Sequence, residues 1–401
     1  MSRIWLSIIG IGEDGLDGLA GPARQLIGGA EILVGGDRHL AMLGDDARPR
    51  LTWESPLRKT IDRIKALKGQ AVCVLATGDP MSYGIGVTLT REIGMAQCVV
   101  LPHQSAFSLA CARLGWPLAD IDAMTLHGRP LGLLNQHLRP HARILILSEN
   151  GETPKQVARI LKESGYGNSR ITVFERMGGA AEKRHDGVAR TWRRGVKDLN
   201  TIAVTCDAGP AAPRLMRTPG LPDELFRHDG QLTRRDVRAV TLAALSPAPG
   251  EILWDVGAGA GSIAIEFLRA EPTARAIAIE RNPGRAANIR ANGERLGARN
   301  LRIVEGAAPE ALKGLEKPDV IFIGGGVGDG KVPRACWRAL PSGGRLVANA
   351  VSMESEAQLF QFMRRHGGDM IRIAISHMDD MGGLHAWRGA HPVTQYRGRK
   401  P

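Results

Sequence analysis

What the chain lacks narrows it first. No apolar run reaches the roughly 18 residues that a membrane-spanning helix needs, so no membrane association is expected. Cysteine is scarce and scattered: Cys73, Cys98, Cys111, Cys206 and Cys336 are odd in number and form no C-x-x-C pair. That argues against a disulfide framework and a zinc site, so no metal is expected and a reducing cytoplasm is. With 3 Tyr and 7 Phe in 401 residues, platforms for stacking nucleic-acid bases are sparse. The opening "MSRIWLSIIGIGEDG" lacks a small-residue cleavage site. It reads as a strand entering a Gly-rich loop and not as a signal peptide.

The remaining composition is that of a soluble globular protein, 43% apolar and 23% charged. Its length predicts two or three domains. The formal charge of +12 is spread along the chain, with 29 Lys/Arg against 24 Asp/Glu in residues 1–229 and 24 against 17 in 230–401. Arginine dominates the second half, which suits recognition of carboxylate or phosphate. Nucleic acid and a polycarboxylate small molecule are both candidate anions, and a solvated Arg-rich surface is the alternative to either.

Between Asp207 and Asp229 the chain carries Pro210, Pro213, Pro219 and Pro222 with little periodicity. This predicts a linker over 208–229, separating domains at 1–207 and 230–401. Before it, apolar runs, Gly-rich breaks and helical stretches alternate, as in "AVCVLATGDPMSYGIG" and "RILILSENGETPKQVARILKESGYG". In the latter, Thr153 and Pro154 stand as N-cap and first helical residue and Gly165 as the stop. After the linker come helix "LTRRDVRAVTLAAL", strand "EILWDV", helix "SIAIEFLRA", strand "RAIAIE" and further alternations. The fold class is therefore α/β with mostly parallel strands, ending in a doubly wound sheet.

In "WDVGAGAGS" the glycines fall at 257, 259 and 261. Gly257 permits a tight turn, Gly259 lets a ligand approach the backbone, and Gly261 opens a helix whose free N–H groups face that ligand. Glu280 ends the next strand, where its carboxylate can accept from both ribose hydroxyls of an adenosine. "VEGAAPEAL" follows the third strand and brings Gly306 and Ala307 to the expected adenine edge. NAD and S-adenosylmethionine both fit such a loop and acid, but the glycine spacing of the dinucleotide fingerprint is not completed after Gly261.

Asp255, two residues before the first glycine, gives the spacing of class I S-adenosylmethionine methyltransferases, which the segment from Leu232 to about Leu359 resembles. "LTRRDVRAVTLAAL", "DVGAGAGSIAIEF", "IERNP", "IFIGGG" and "VANAV" are similar to the precorrin C15-methyltransferases of corrin-ring synthesis. The resemblance implies a cofactor site of Thr233, Asp255, Gly257, Ala258, Gly259, Ala260, Gly261, Glu280, Gly306 and Ala307. The fourth strand ends in "IFIGGG" and not in an Asn/Asp-Pro-Pro-aromatic motif, so the pattern gives no support for methylating a nucleobase amine.

In the first half, "IGIGEDG", "ATGDPMSYGIG", "LPHQSAFSLACARLGWP", "LHGRP" and "VFERMGG" resemble the tetrapyrrole methylase family over residues 3–205, closest to its C5-methyltransferase members. The resemblance implies a two-lobed methylase fold and a second S-adenosylmethionine site at Gly78, Asp79, Pro80, Ser105 and Ala106. Glu13 stands where many members have proline. His103 and His127 sit beside loops, and structural or solvent-facing roles are favoured over proton transfer for both.

Taken together, the two resemblances imply methylation of carbons 5 and 15 of a precorrin macrocycle (precorrin-6B) in cobalamin biosynthesis, with decarboxylation of the acetate on carbon 12. Two S-adenosylmethionine sites, a polycarboxylate tetrapyrrole substrate, a homo-oligomer and no nucleic-acid or membrane partner are expected. Arg234, Arg235 and Arg238 are candidates for substrate carboxylates, with a solvated helix face as the alternative. No residue identifies itself as a catalytic acid. An RNA methyltransferase with an N-terminal RNA-binding module, or a non-catalytic nucleotide-binding module, are the rival readings.

Overall fold

The computed structural model describes residues 4–210, 212–213, 215–328 and 330–401. The chain divides into two compact units. The first comprises the chain up to Arg129 together with Pro140–Ala212, and the second Pro130–Arg139 together with Pro213–Pro401.

The first unit contains two five-stranded sheets. One runs in the order Arg50–Leu51, Ile32–Val34, Val72–Thr77, Leu6–Ile11, Cys98–Leu101, all parallel. Its strands read as continuous apolar runs because both faces are covered. Leu6, Ile8, Val72 and Val74 pack into one cluster, and Ile9, Ile11, Cys73 and Leu75 into another. The period-2 alternation of side chains divides each strand between these two cores.

The other sheet, in the order Asp122–Thr125, Arg143–Leu147, Asn200–Thr205, Arg170–Glu175, Lys183–Val188, departs from the parallel expectation. Only its first pair is parallel, and the other three are antiparallel. For the last pair the reason is connection length: the short break between Glu175 and Lys183 closes a hairpin, whereas a parallel crossover needs a dozen or more residues. The helix Thr153–Glu163 also begins one residue earlier than expected, with Glu152 at the N-cap. Thr153 Oγ1 instead accepts from Glu149 N and Asn150 N, both at 3.1 Å.

The second unit is built on a seven-stranded sheet, in the order Leu301–Glu305, Arg275–Glu280, Ile252–Val256, Val320–Ile323, Arg345–Ala350, Val393–Arg399, Asp369–Ile373. The first five strands are parallel, as expected of a doubly wound sheet, and the last two pairings are antiparallel. A separate hairpin, Ser376–Met381 with Leu384–Gly389, precedes the penultimate strand of that order.

The Pro-rich stretch expected as a linker is anchored to the second unit over much of its length; its Ala211 and Arg214 lie outside the described residues. Leu215, Leu221 and Phe226 are buried. Arg269 donates to Leu215 O at 2.8 Å, and Glu266 accepts from Gly220 N at 2.6 Å and Leu221 N at 3.1 Å. Residues 130–139 join the same unit: Asn135 Nδ2 donates to Arg295 O at 2.7 Å, and Gln136 Nε2 donates to Gly297 O.

Candidate cofactor sites

In the first unit, the loops leaving three neighbouring parallel strands meet at their carboxyl ends, where open α/β sheets bind ligands. Gly78 N donates to Ile11 O at 2.9 Å, and Gly78 O accepts from His103 N at 3.1 Å. Gly10 is required here, because a Cβ on it would lie 1.8 Å from Gly78 O and 2.5 Å from His103 N. Asp79 Oδ1 accepts from Met81 N at 2.8 Å, which fixes the loop before Pro80. Ser105 caps the helix Ala106–Leu114 by accepting from Ser108 N at 3.1 Å. Gly78 therefore stands beside the Gln104–Ala106 turn, backed against Gln104 O.

Beside this junction is a cluster that the sequence did not disclose. Glu13 forms ion pairs with Arg38 and, at 3.4 Å, with Arg176. Arg38 and His39 both reach Thr77 Oγ1 at 3.0 Å, one residue before Gly78. Burial and the neighbouring Arg38 guanidinium push the His39 imidazole down to about 4, so it is neutral at pH 7. The one local signal was Glu13 itself, a charge in a position where a proline was expected. His103 Nε2 lies 3.2 Å from Asp14 Oδ2, whereas His127 is largely exposed beside Glu149.

In the second unit a cavity of about 830 Å³ opens above the carboxyl ends of the parallel strands. That is large enough for a nucleoside-sized ligand with room to spare. Thr233, Gly257, Ala258, Gly259, Glu280, Gly306 and Ala307 line it. Gly257 has φ +72°, and a Cβ there would meet Gly325 N at 2.8 Å, so the two glycine loops form a cradle that a side chain would fill. Glu280 accepts from Gly259 N at 2.8 Å and Asn282 N at 2.9 Å, one bond on each carboxylate oxygen. Each oxygen retains acceptor capacity for a diol. These features fit an adenosine-bearing cofactor.

Three residues of the expected set do not line the cavity. Ala260 is buried, and a Cβ on Gly261 would run into Ile289 at 2.7 Å, so Gly261 serves close packing of the next helix. Asp255 lies beneath the loop, 1% exposed, accepting from Ala264 N at 3.1 Å. Its Oδ1 has no partner among the described residues. Burial raises its carboxyl to about 7; the Ala264 N–H opposes this and the Glu280 carboxylate adds to it. The folded state thus holds a proton that the unfolded chain has released. Stability from this group is complete below about pH 4 and is lost as pH rises through about 7. Asp255→Asn should therefore gain in melting temperature over the native protein as pH rises from 4 to 8. Melts across that range check this, and a constant difference would contradict it.

The three candidate arginines separate. Arg234 lines the cavity and Arg235 does not. Arg238 is fully buried: its Nε donates to Glu266 at 2.5 Å, and Nη1 donates to Asp223 at 3.0 Å and to Thr233 O at 2.5 Å. It is neither free for a substrate carboxylate nor on a solvated face. Apolar neighbours at alternate helical turns were its only sequence signal. Also unforeseen in the wall are Arg281, Arg285, Asn349, His377 and His391.

Each of two unlike α/β units brings a glycine loop to the carboxyl ends of its parallel strands, and family comparisons place both units among methyltransferases. Residues 6–191 match the model for tetrapyrrole (corrin/porphyrin) methylases, and residues 224–400 match that of the precorrin methyltransferase domain. Over 98% of its length the chain is 47% identical to the precorrin-6Y C(5,15)-methyltransferase [decarboxylating] of Sinorhizobium sp, covering 95% of that protein. A cobalt-precorrin-7 C(5)-methyltransferase of Salmonella typhimurium is 29% identical over 45% of this chain and 89% of its own. A probable cobalt-precorrin-6B C(15)-methyltransferase (decarboxylating) of Saccharolobus solfataricus is 30% identical over 46% of this chain and 96% of its own. The chain belongs to the precorrin-6Y C(5,15)-methyltransferase (decarboxylating) family.

Among the described residues no helix is long and apolar enough to cross a membrane, and no three His, Cys, Asp or Glu side chains are grouped for a metal. All five cysteines are buried.

Proposed function

We propose that this chain methylates carbons 5 and 15 of a precorrin and removes carbon dioxide from the acetate on carbon 12. The first unit carries the C5 transfer, and the second carries the C15 transfer and the decarboxylation. The observation that supports this best is likeness along nearly the whole chain to a C(5,15)-methyltransferase, beside likeness over about half of it to a C(5)-methyltransferase and to a decarboxylating C(15)-methyltransferase. S-adenosylmethionine, bound once in each unit, supplies an electrophilic methyl group. RNA methylation has no support, because both halves of the chain fall in tetrapyrrole families.

What the protein contributes is position. Reduced pyrrole carbons are enamine-like and already electron-rich, so no strong base is needed. Holding donor and carbon in line yields effective molarities on the order of 10⁵ M or more. In the second unit, Glu280 and the loop Gly257–Gly259 orient the adenosine end. Arg234 and Arg281, from the same wall, face a substrate bearing several carboxylates. In the first unit Gly78, Asp79 and Pro80, with Ser105 and Ala106, form the corresponding cradle.

Labelled S-adenosylmethionine offered with precorrin-6B, or with RNA, tests the reading by product mass. Two added methyls and one lost carbon dioxide are expected; label on RNA alone would overturn it. Asp79→Ala is expected to reduce C5 methylation at least about tenfold, the equivalent of one hydrogen bond to a charged group. C15 methylation should continue.

A further inference from the structure

One wall of the second-unit cavity is formed by two neighbouring antiparallel stretches near the C-terminus. Ile373 ends the strand Asp369–Ile373, Ile375 follows it, and His377 lies in the next strand, Ser376–Met381. Val393 is paired with Ile373, His391 lies two residues before it, and Ala390 N donates to Ile375 O at 2.8 Å. Ile373, Ile375, Val393 and both histidines all line the cavity. The wall is thus apolar and ends in two imidazoles.

Decarboxylation needs a proton at the carbon that loses its carboxyl group. Among the described lining residues the other titratable side chains are poor sources. Arg234, Arg281 and Arg285 do not release protons in proteins. Glu280 is committed as an acceptor to two backbone N–H groups. Asp236 sits in the first turn of the helix Arg235–Leu245, where the free N–H groups of the helix start attract its carboxylate. Asn349 is held at both ends, donating to Thr241 Oγ1 at 3.1 Å and accepting from Gln395 Nε2 at 2.9 Å. Histidine is the side chain that exchanges protons near neutrality.

We propose that His377 and His391 deliver the proton that completes the decarboxylation. The inference rests on the function proposed above. The bond between the acetate CH₂ and its carboxyl carbon breaks, and carbon dioxide leaves. The electron pair enters the conjugated macrocycle and returns to the CH₂ carbon as that carbon takes a proton from an imidazolium, becoming a methyl group. The imidazole then regains a proton from water. The apolar residues beside the histidines strip water from the acetate, which favours the uncharged product.

The test uses the full chain carrying His377→Asn and His391→Asn together, with precorrin-6B and labelled S-adenosylmethionine. Both histidines are exposed, so folding is not at risk, and calorimetric binding of S-adenosylhomocysteine checks that the cofactor cradle is intact. The quantity read is carbon dioxide released per methyl placed on carbon 15. It should fall at least about tenfold, the lower range of a general-acid effect being ~100-fold with water as the remaining donor. A methylated product that keeps its carboxyl group should accumulate. A ratio unchanged from the native enzyme, even with both steps slowed, would overturn the proposal. A native chain that neither methylates nor releases carbon dioxide would overturn the underlying function, and this inference with it.

Discussion

Replacing Glu280 by alanine is expected to remove C15 methylation and carbon dioxide release while C5 methylation continues. Glu280 performs two tasks at once. Its two oxygens hold Gly259 N and Asn282 N at 2.8 and 2.9 Å, which sets the loop, and its remaining acceptor capacity faces the cavity. Hydrogen bonds to a charged group contribute about 1.5–3 kcal/mol each. Losing two toward the ligand predicts at least ~100-fold weaker cofactor binding, before any loosening of the loop. The change has a second signature. The Glu280 carboxylate helps to raise the Asp255 carboxyl, so Asp255 should titrate lower in the variant. C15 product formation and calorimetry on the variant check the first effect. Loss of both methylations in a folded protein would show that the sites are not independent.

Arg238→Ala is expected to destabilise the second unit by about 3–5 kcal/mol, because it strands a buried carboxylate. Arg238 has no exposed surface, and Glu266 is only 2% exposed. The guanidinium ties together the helix Arg235–Leu245, the Glu266 side chain, Asp223, and the backbone at Leu221 and Thr233. Arg238→Met with Glu266→Leu should restore only part of the loss. An apolar pair removes the unpaired charge, but Gly220 N and Leu221 N then lose their acceptor. Denaturant unfolding of the single and double variants measures both values. A single variant within about 0.5 kcal/mol of the native protein, the range of ordinary surface changes, would contradict this reading.

The parts of this protein that were legible in its sequence are those written in local patterns. Apolar runs followed by glycine mark the parallel strands of both units, and the spacing of Gly257, Gly259 and Glu280 marks the loop and acid that line the second-unit cavity. The Gly78-Asp79-Pro80 loop is singled out only through resemblance, since a lone Gly-Asp-Pro is an ordinary turn. What was hidden depends on contacts distant in sequence. Gln136 donates to Gly297 O from 161 residues away, and nothing in "GLLNQHL" announces it. Arg238 and Arg234 look alike in "LTRRDVRAV", yet one is internal and the other lines the cavity, a distinction set by which helix face meets Glu266. The antiparallel strands near the C-terminus are short and half-exposed, so they carry little hydrophobic signal, although they bring His377 and His391 to the site.

We propose that each unit holds its own S-adenosylmethionine. Calorimetric titration of the full chain with S-adenosylhomocysteine tests it most directly. Two equivalents are expected per native chain and one per Glu280→Ala chain. One equivalent on the native chain, or none on the variant, would contradict it.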